Sequence, residues 1–354
     1  MDARPQALLL SAYRAASHAA WADWLLASQP GFAWQRLELP GRHFRWRIRG
    51  NPLSWLDALP QEPPALIVAT SMVDLATLKG LHPRLAGVPT LYYFHENQFA
   101  YPRQAGQFDS VDPQMVQLYG ALAADKVAFN SAFNREAFLE GVQALLDRLP
   151  DQLPAAVCER IRNKSTVCPV PIEPITPAAK PVPPLIAWNH RWEYDKAPET
   201  FTAAMLDLDA RGVRFELALL GWRADPPHPA LQQLRDRLSH RIVLDGRVER
   251  ETYRDTLARA SVVVSTSVHE FEGLGVLEAA SGGARPLVPD GLCYREQYPA
   301  THRYAPGDPA ALADRLQCWL AGEMPPPVDV AAWSGTRLQP RWQALLAGII
   351  GNPD

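Results

Sequence analysis

Along the first half of the chain, short and nearly continuous apolar runs alternate with longer segments of mixed polarity. Ala7–Ser11, Ala65–Thr70, Thr90–Phe94 and Lys126–Asn130 are such runs. Each predicts a strand covered on both faces, as in a parallel sheet. His18–Ser28, with Trp21 and Trp24, predicts a helix after the first strand. A second series begins at Leu185–Trp188, a strand, and continues with a helix over Pro198–Arg211 and a strand over Phe215–Leu220 closed by Gly221. Helix Leu231–Leu238, strand Ile242–Leu244, helix Thr252–Ala260 and strand Val262–Ser265 follow.

Between the two series, residues 169–184 hold seven prolines in sixteen positions, a density that excludes helix and ladder pairing and predicts a stiff linker. The expected fold is α/β: two Rossmann-like, doubly wound parallel-sheet domains facing a cleft, with ligands beyond the carboxyl ends of the strands. The expected divisions are 1–168, the linker 169–184, 185–325, and a tail 326–354 with Trp333 and Trp342 in a helix.

The 354 residues are 47% apolar and 21% charged, a folded chain long enough for two cores. A formal charge of −3 carries no global nucleic-acid signal, so RNA contact has to come from a local patch. Cys158, Cys168, Cys293 and Cys318 are scattered, which indicates neither a zinc site nor a disulfide framework and fits a reducing compartment. The start of the chain lacks the pattern of a secretory signal, and no stretch of about 20 apolar residues spans a membrane. The expectation is a cytoplasmic protein without a membrane partner.

The most telling stretch runs Ser265 to Ala280. The strand Val262–Val264 enters it, a helix leaves it, and between them lie Gly273, Gly275 and the glutamates Glu270, Glu272 and Glu278. Glycines at a strand-to-helix turn let amides approach phosphate oxygens. Glu270 on the loop can lie over a sugar, and Glu278, eight positions on, can reach ribose hydroxyls from the helix. An acidic helix start favoured by the macrodipole is the plainer reading of this loop alone. Upstream, Arg191 and Lys196 flank another strand-to-helix turn, where a planar fork and a point charge can converge on one diphosphate.

The first half supplies acceptor candidates. The buried strand Thr90–Phe94 ends in His95-Glu96-Asn97-Gln98, polar groups that are costly there unless they face a cleft. His95 can bond a transferred sugar, and Glu96 can orient His95 or meet an acceptor hydroxyl. Capping of the next segment by a His95–Glu96 pair is the alternative. Arg42, Arg45, Arg47 and Arg49 interleave with Phe44 and Trp46, cations for phosphates beside rings for unpaired bases. A solvent-facing strand or loop is the alternative there.

The Glu270-x7-Glu278 spacing resembles the signature of retaining glycosyltransferases of the GT-B fold. With His95-Glu96-Asn97-Gln98-x-x-Tyr101-Pro102, Phe129-Asn130-Ser131-x-x-Asn134 and the Arg/Trp run, nearly the whole chain resembles the tRNA-queuosine α-mannosyltransferase family. That resemblance implies transfer of mannose from GDP-mannose, with retention, to queuosine at the wobble position of an aspartate tRNA. It implies Arg191, Lys196 and Glu270 in catalysis with His95 and Glu96. Arg191, Lys196, Gly221, Phe271, Gly273, Leu274 and Glu278 would bind the donor. Arg42, Arg45, Trp46, Arg47, Arg49, Asn97, Gln98 and Asn130 would bind the acceptor, although Ser131 reads better as a helix N-cap. Neither a metal nor a prosthetic group is required, since cations carry the leaving-group charge. Attack comes from the leaving-group face, with a phosphate oxygen taking the acceptor proton.

One departure is Ala15-Ala16, where GT-B chains commonly have a glycine pair after the first strand. Two rivals remain open: a retaining transferase of surface polysaccharide or glycolipid synthesis, and a non-catalytic RNA-binding protein on the same scaffold.

Overall fold

The computed structural model describes residues 4–101, 110–151 and 153–351. Pro102 of the His95–Pro102 motif and the first three residues of the chain lie outside them. The chain forms two compact units, Met1–Pro171 with Gly335–Asp354, and Ile172–Ser334.

The first unit runs β1 (Gln6–Arg14), α1 (Ala16–Ser28), β2 (Ala33–Pro40), α2 (Phe44–Ser54), β3 (Leu66–Thr70), α3 (Leu75–Leu81), β4 (Thr90–Phe94), α4 (Asp112–Ala123), β5 (Lys126–Phe129), α5 (Ala132–Leu146), α6 (Val157–Asn163) and β6 (Ser165–Val167). Its strands pair in parallel in the order β2-β1-β3-β4-β5-β6. β3 and β4 are buried along their whole length, as expected of strands covered on both faces. The edge strand β2 is half exposed and has no continuous apolar run, so periodicity did not reveal it.

The second unit runs β7 (Leu185–Trp188), α7 (Pro198–Ala210), β8 (Glu216–Leu219), α8 (Pro229–Leu238), β9 (Ile242–Asp245), α9 (Arg250–Arg259), β10 (Val262–Val264), α10 (Leu274–Ser281), β11 (Arg285–Pro289), α11 (Tyr294–Gln297), β12 (Arg303–Tyr304) and α12 (Pro309–Cys318). Its parallel order is β12-β11-β10-β7-β8-β9. The chain steps from β7 out to β9 and then returns to the other side of β7. The switch point therefore lies between β7 and β10, where Trp188 pairs with Val264. Ligands of doubly wound sheets bind beyond the carboxyl ends of the strands at such a point. Both loops of this half that carry candidate residues, 189–197 and 265–273, leave from there.

The proline-rich segment differs from the linker expected of it. From Ile172 onward it is a strap on the second unit: Ile175 N donates to Ser281 Oγ at 2.9 Å and Ala178 N to the Ala258 carbonyl at 3.2 Å. Lys180 Nζ joins the carbonyls of Ala258 and Gly282 at 2.7 and 2.8 Å, near the C-terminal ends of α9 and α10.

The last helix, α13 (Gly335–Ile350), belongs to the first unit. Its Trp342 is fully buried against Trp21 and Tyr93, at ring distances of 5.6 and 4.9 Å. Trp333, expected in this helix, lies in the short 3-10 turn before it.

Candidate active site

At the switch point of the second unit, the two loops are stitched together through the backbone. Thr266 Oγ1 donates to the carbonyls of Lys196 and Ala197, at 2.7 and 3.0 Å, and Val268 N donates to the Asp195 carbonyl at 2.9 Å. These bonds hold Ala197 in the left-handed region at φ 44°, a conformation unusual for a residue with a Cβ. The chain then turns into α7 with Lys196 pointing inward.

Lys196 is buried, and its ammonium is fully engaged. Nζ lies 3.0 Å from Glu270 Oε2, 3.1 Å from Asp195 Oδ2 and 2.9 Å from the His269 carbonyl. An ammonium has three N–H donors, and these oxygens account for all of them. Burial opposes its charge, but the carboxylates of Glu270 and Asp195 outweigh burial and raise its pKa. Burial likewise disfavours the Glu270 carboxylate, yet Lys196 outweighs it and holds Glu270 at about 2. The Glu270 carboxylate also accepts from Phe271 N at 3.1 Å. His190 and His269, beside the pair, are pushed down to about 4 by burial and by the Lys196 charge, so both imidazoles are neutral at pH 7.

Three expectations change in this light. Lys196 is not an open point charge: a phosphate oxygen can reach it only in place of a protein oxygen. The Phe271 amide, expected to face the donor, is turned back onto Glu270. Arg191 does not converge with Lys196 in the interior, because its side chain is 53% exposed and lies 3.3 Å from Glu193. By contrast, Leu274 and Gly275 open α10, where the first amides of a helix have no intrahelical acceptor.

The glycines fit their places for steric reasons. Gly273 caps α10 in the left-handed conformation, at φ 67°. Gly221 has φ 91°, and a Cβ there would stand 1.9 Å from the His190 carbonyl oxygen. Any side chain would push β8 off the Arg191 loop, to which Trp222 is tied by the bond from Trp192 N at 2.9 Å.

Glu278 sits half-buried on α10 and is bonded by the Tyr253 hydroxyl, which accepts in turn from Asn189 Nδ2 at 2.8 Å. Burial raises the Glu278 carboxyl, and the Tyr253 hydrogen bond works against the rise. Sequence reasoning missed Asp195, His190, His269, Tyr253 and Asn189. The one local signal for Asp195 is its place beside Lys196; Tyr253, on a helix far along the chain, left none.

In the first unit, His95 is buried at the end of β4 among three rings: His18 at 4.2 Å, and Trp21 and Tyr93 each at 4.7 Å edge-on. Burial first, then His18, holds its pKa well below the usual value. His95 Nε2 is buried with no hydrogen-bond partner among the described residues. A pair with Glu96 is absent among the described residues. Instead the Glu96 carbonyl accepts from Ser71 Oγ at 3.0 Å and Gln117 Nε2 at 3.3 Å.

Asn97 and Asn130 are spent inside the protein. Asn97 Oδ1 accepts from the amides of Phe99 and Ala100, at 3.1 and 2.9 Å, while its Nδ2 donates to the carbonyl and side-chain oxygens of Asn134. That uses both donors and both lone pairs, so no acceptor can be bound by this side chain as it stands. Asn130 Nδ2 donates to the His95 carbonyl at 2.8 Å and its Oδ1 accepts from Asn134 at 2.7 Å. Ser131 caps α5 by accepting from Asn134 N, as its sequence position suggested. The Gln98 side chain is half-buried beyond this network.

From Phe44 onward the arginine run is a helix, α2, with Arg42 just before it, and the strand or loop offered as the alternative is not formed there. At 3.6 residues per turn its alternate positions point to different sides. Arg42, Arg45 and Trp46 are exposed. Arg47 is half-buried, and its Nε is buried without a partner among the described residues. Arg49 pairs with the buried Asp74 at 2.5 Å. The Trp46 ring lies over Gly50, where a Cβ would be only 2.5 Å from it, and remains 57% exposed. The turn after β1 needs no glycine, since Ala15 has an ordinary φ of −77°.

A groove of about 300 Å³ in the same unit is lined by Lys126, Lys164, Arg341 and β6. Lys164 and Arg341 donate there to backbone carbonyls, at α4's C-terminal end and at Val167.

Comparison with known proteins decides the family. The tRNA-queuosine alpha-mannosyltransferase of Drosophila melanogaster is 31% identical over 316 residues, covering 85% of this chain and 84% of the relative. The chain belongs to the tRNA-queuosine alpha-mannosyltransferase family. The model of that family's N-terminal region matches residues 6–172. Solved structures agree on the fold. Anabaena HepE, in complex with UDP-glucose, superposes with a TM-score of 0.68 at 12% identity, covering 98% of this chain and all of that one. Sucrose-phosphate synthase from Thermosynechococcus elongatus gives 0.66 at 17% identity, covering 98% and 96%. With two six-stranded parallel sheets, the fold of this family member is GT-B. Among the described residues, no helix is long and apolar enough to cross a membrane.

Proposed function

We propose that this protein transfers mannose from GDP-mannose, with retention, to queuosine in a tRNA of the aspartate type, in the cytoplasm. The observation that carries the reading is the relationship to a named tRNA-queuosine alpha-mannosyltransferase over 85% of the chain. The geometry supports particular roles. The second unit binds the nucleotide sugar at its switch point, with the diphosphate at Arg191 and the opening amides of α10, Leu274 and Gly275. Lys196 joins by exchanging one protein oxygen for a phosphate oxygen, and so stabilises the departing diphosphate. Glu270, kept ionised by Lys196, accepts from sugar hydroxyls, and Glu278 accepts from the ribose. No metal or prosthetic group takes part in this scheme.

In the first unit, neutral His95, with Glu96 and Gln98 beside it, serves the acceptor side of the transfer. Asn97 and Asn130 serve by fixing that loop. Arg42, Arg45 and Trp46 meet the RNA, the arginines at phosphates and the indole at an unpaired base.

The test is nucleoside mass spectrometry of queuosine-containing tRNA incubated with the protein and a panel of nucleotide sugars. A hexose added to queuosine from GDP-mannose is the expected product. A hexose on a lipid or glycan, with tRNA unmodified, would overturn the proposal.

A further inference from the structure

We propose that Tyr253 and Asn189 are positioning residues that hold the Glu278 carboxylate to accept hydrogen bonds from the vicinal diol of the donor's ribose. The inference rests on the reading that Glu278 binds ribose, and it identifies what makes that carboxylate a competent acceptor.

Three elements meet here. Asn189 follows β7, Tyr253 lies on α9 and Glu278 on α10. Asn189 Nδ2 is 3.0 Å from the Gly275 carbonyl and 2.8 Å from the Tyr253 hydroxyl oxygen. A carbonyl only accepts, so the atom facing Gly275 must be the amide nitrogen, and both of its N–H bonds are thereby assigned. The Tyr253 oxygen receives one of them and must send its own proton elsewhere. The acceptor in reach is Glu278 Oε2, at 2.5 Å. The chain has one direction: amide to phenol to carboxylate.

That direction matters for a diol. A carboxylate offers lone pairs only, and ribose hydroxyls arrive as donors. A protonated Glu278 would present a donor to them instead. Burial favours that protonated form, while the Tyr253 bond opposes it, together with the positive charges of Arg250 and Arg254 on α9. Those arginines are themselves paired with Glu173 of the proline-rich strap, Arg254 at 3.3 Å. Burial keeps the phenol of Tyr253 well above its usual pKa, so it stays a donor over the working pH range. Asn189 also contacts Gly275, where a Cβ would come within 2.7 Å of Nδ2, so the network is closed against the start of α10.

The experiment compares GDP with 2′,3′-dideoxy-GDP by calorimetry, in the unsubstituted protein and in Tyr253→Phe, from pH 5 to 8. UDP and its dideoxy form are used if GDP does not bind. In the unsubstituted protein, loss of the diol should weaken binding roughly 10-fold or more, as loss of hydrogen bonds to a charged group does. Tyr253→Phe should weaken GDP about 5–10-fold yet leave dideoxy-GDP unchanged, and its GDP affinity should fall further towards pH 5. Should Tyr253→Phe fail to fold, Asn189→Ala is read the same way. Equal binding of GDP and dideoxy-GDP by the unsubstituted protein would defeat the ribose reading and this inference with it. Discrimination that persists undiminished in Tyr253→Phe would defeat the positioning role alone. An equal loss of both ligands would make the tyrosine merely structural.

Discussion

Lys196 Nζ and Glu270 Oε2 lie 3.0 Å apart, although 74 residues separate the two in sequence. Each is charged inside the protein because the other is, and the loops at the β7–β10 switch point are built around that dependence. Lys196→Met should strand the Glu270 and Asp195 carboxylates and destabilise the second unit by about 3 kcal/mol. Adding Glu270→Gln should restore much of that stability while sugar transfer stays lost. Chemical unfolding beside the transfer assay separates the two effects; full stability in Lys196→Met would mean that the pair does not hold the loops.

Acid should loosen the same region in two steps. His190 and His269 have folded pKa values of about 4, below the ordinary 6.5, so the unfolded chain binds more protons between those values. Their contribution is complete above about pH 6.5 and is lost as pH falls towards 4, by up to roughly 3 kcal/mol per imidazole. Glu270, held at about 2, adds a loss of the same sign below its ordinary 4.5. Urea unfolding at pH 7, 5.5 and 4, followed by hydrogen exchange at β10, should show the decline, and His269→Gln should flatten its first part. A pH-independent midpoint from 7 to 4 would mean that the histidines protonate without cost.

The arginines in and just before α2 should divide by what they touch. Replacing Arg42 and Arg45 with alanine should weaken tRNA binding and lower the salt slope of log K by about one for each phosphate no longer neutralised. Trp46→Ala should weaken binding with little change of slope, since stacking releases no counterions. Arg49→Ala should instead cost about 1–2 kcal/mol of stability, because Asp74 is buried while the Arg49 side chain is half exposed. Filter binding across a salt series and thermal unfolding assign each residue; an Arg49→Ala that impaired only tRNA binding would contradict the division.

Gly221→Ala should be poorly tolerated even though the change adds one methyl group. The Cβ would overlap the His190 carbonyl, and a φ of 91° is strained for alanine. We expect reduced nucleotide affinity together with lower stability, by calorimetry and unfolding. Normal values in both would show that β8 can withdraw from the Arg191 loop freely.

The strands that line the switch point were legible because burial on both faces leaves an uninterrupted apolar run, as in Leu185–Trp188 and Val262–Val264. The glutamate loop was legible from glycines and carboxylates at a strand-to-helix turn. What could not be read was which polar groups the fold consumes. Asn97 has the composition of a ligand-binding residue, yet its amide is filled by residues of its own loop and by Asn134. Lys196 likewise reads as an open charge in the sequence, although Asp195 and Glu270 lie against it. For the Arg/Trp run the strand or loop offered as the alternative does not form, because the helix propensity of arginine and the packing of Ile48 favour a helix.

Trp342 Nε1 bonds the carbonyl of Pro169, 173 positions earlier. During synthesis, the amino-terminal sheet emerges first but must wait for the entire second unit, Ile172–Ser334, before its last aromatic wedge exists. Until then the surface around Trp21 and Tyr93 is uncovered and open to wrong partners. The first unit is therefore completed by the last helix to be made, and a ribosome stalled anywhere in the second unit leaves a first unit that cannot be completed.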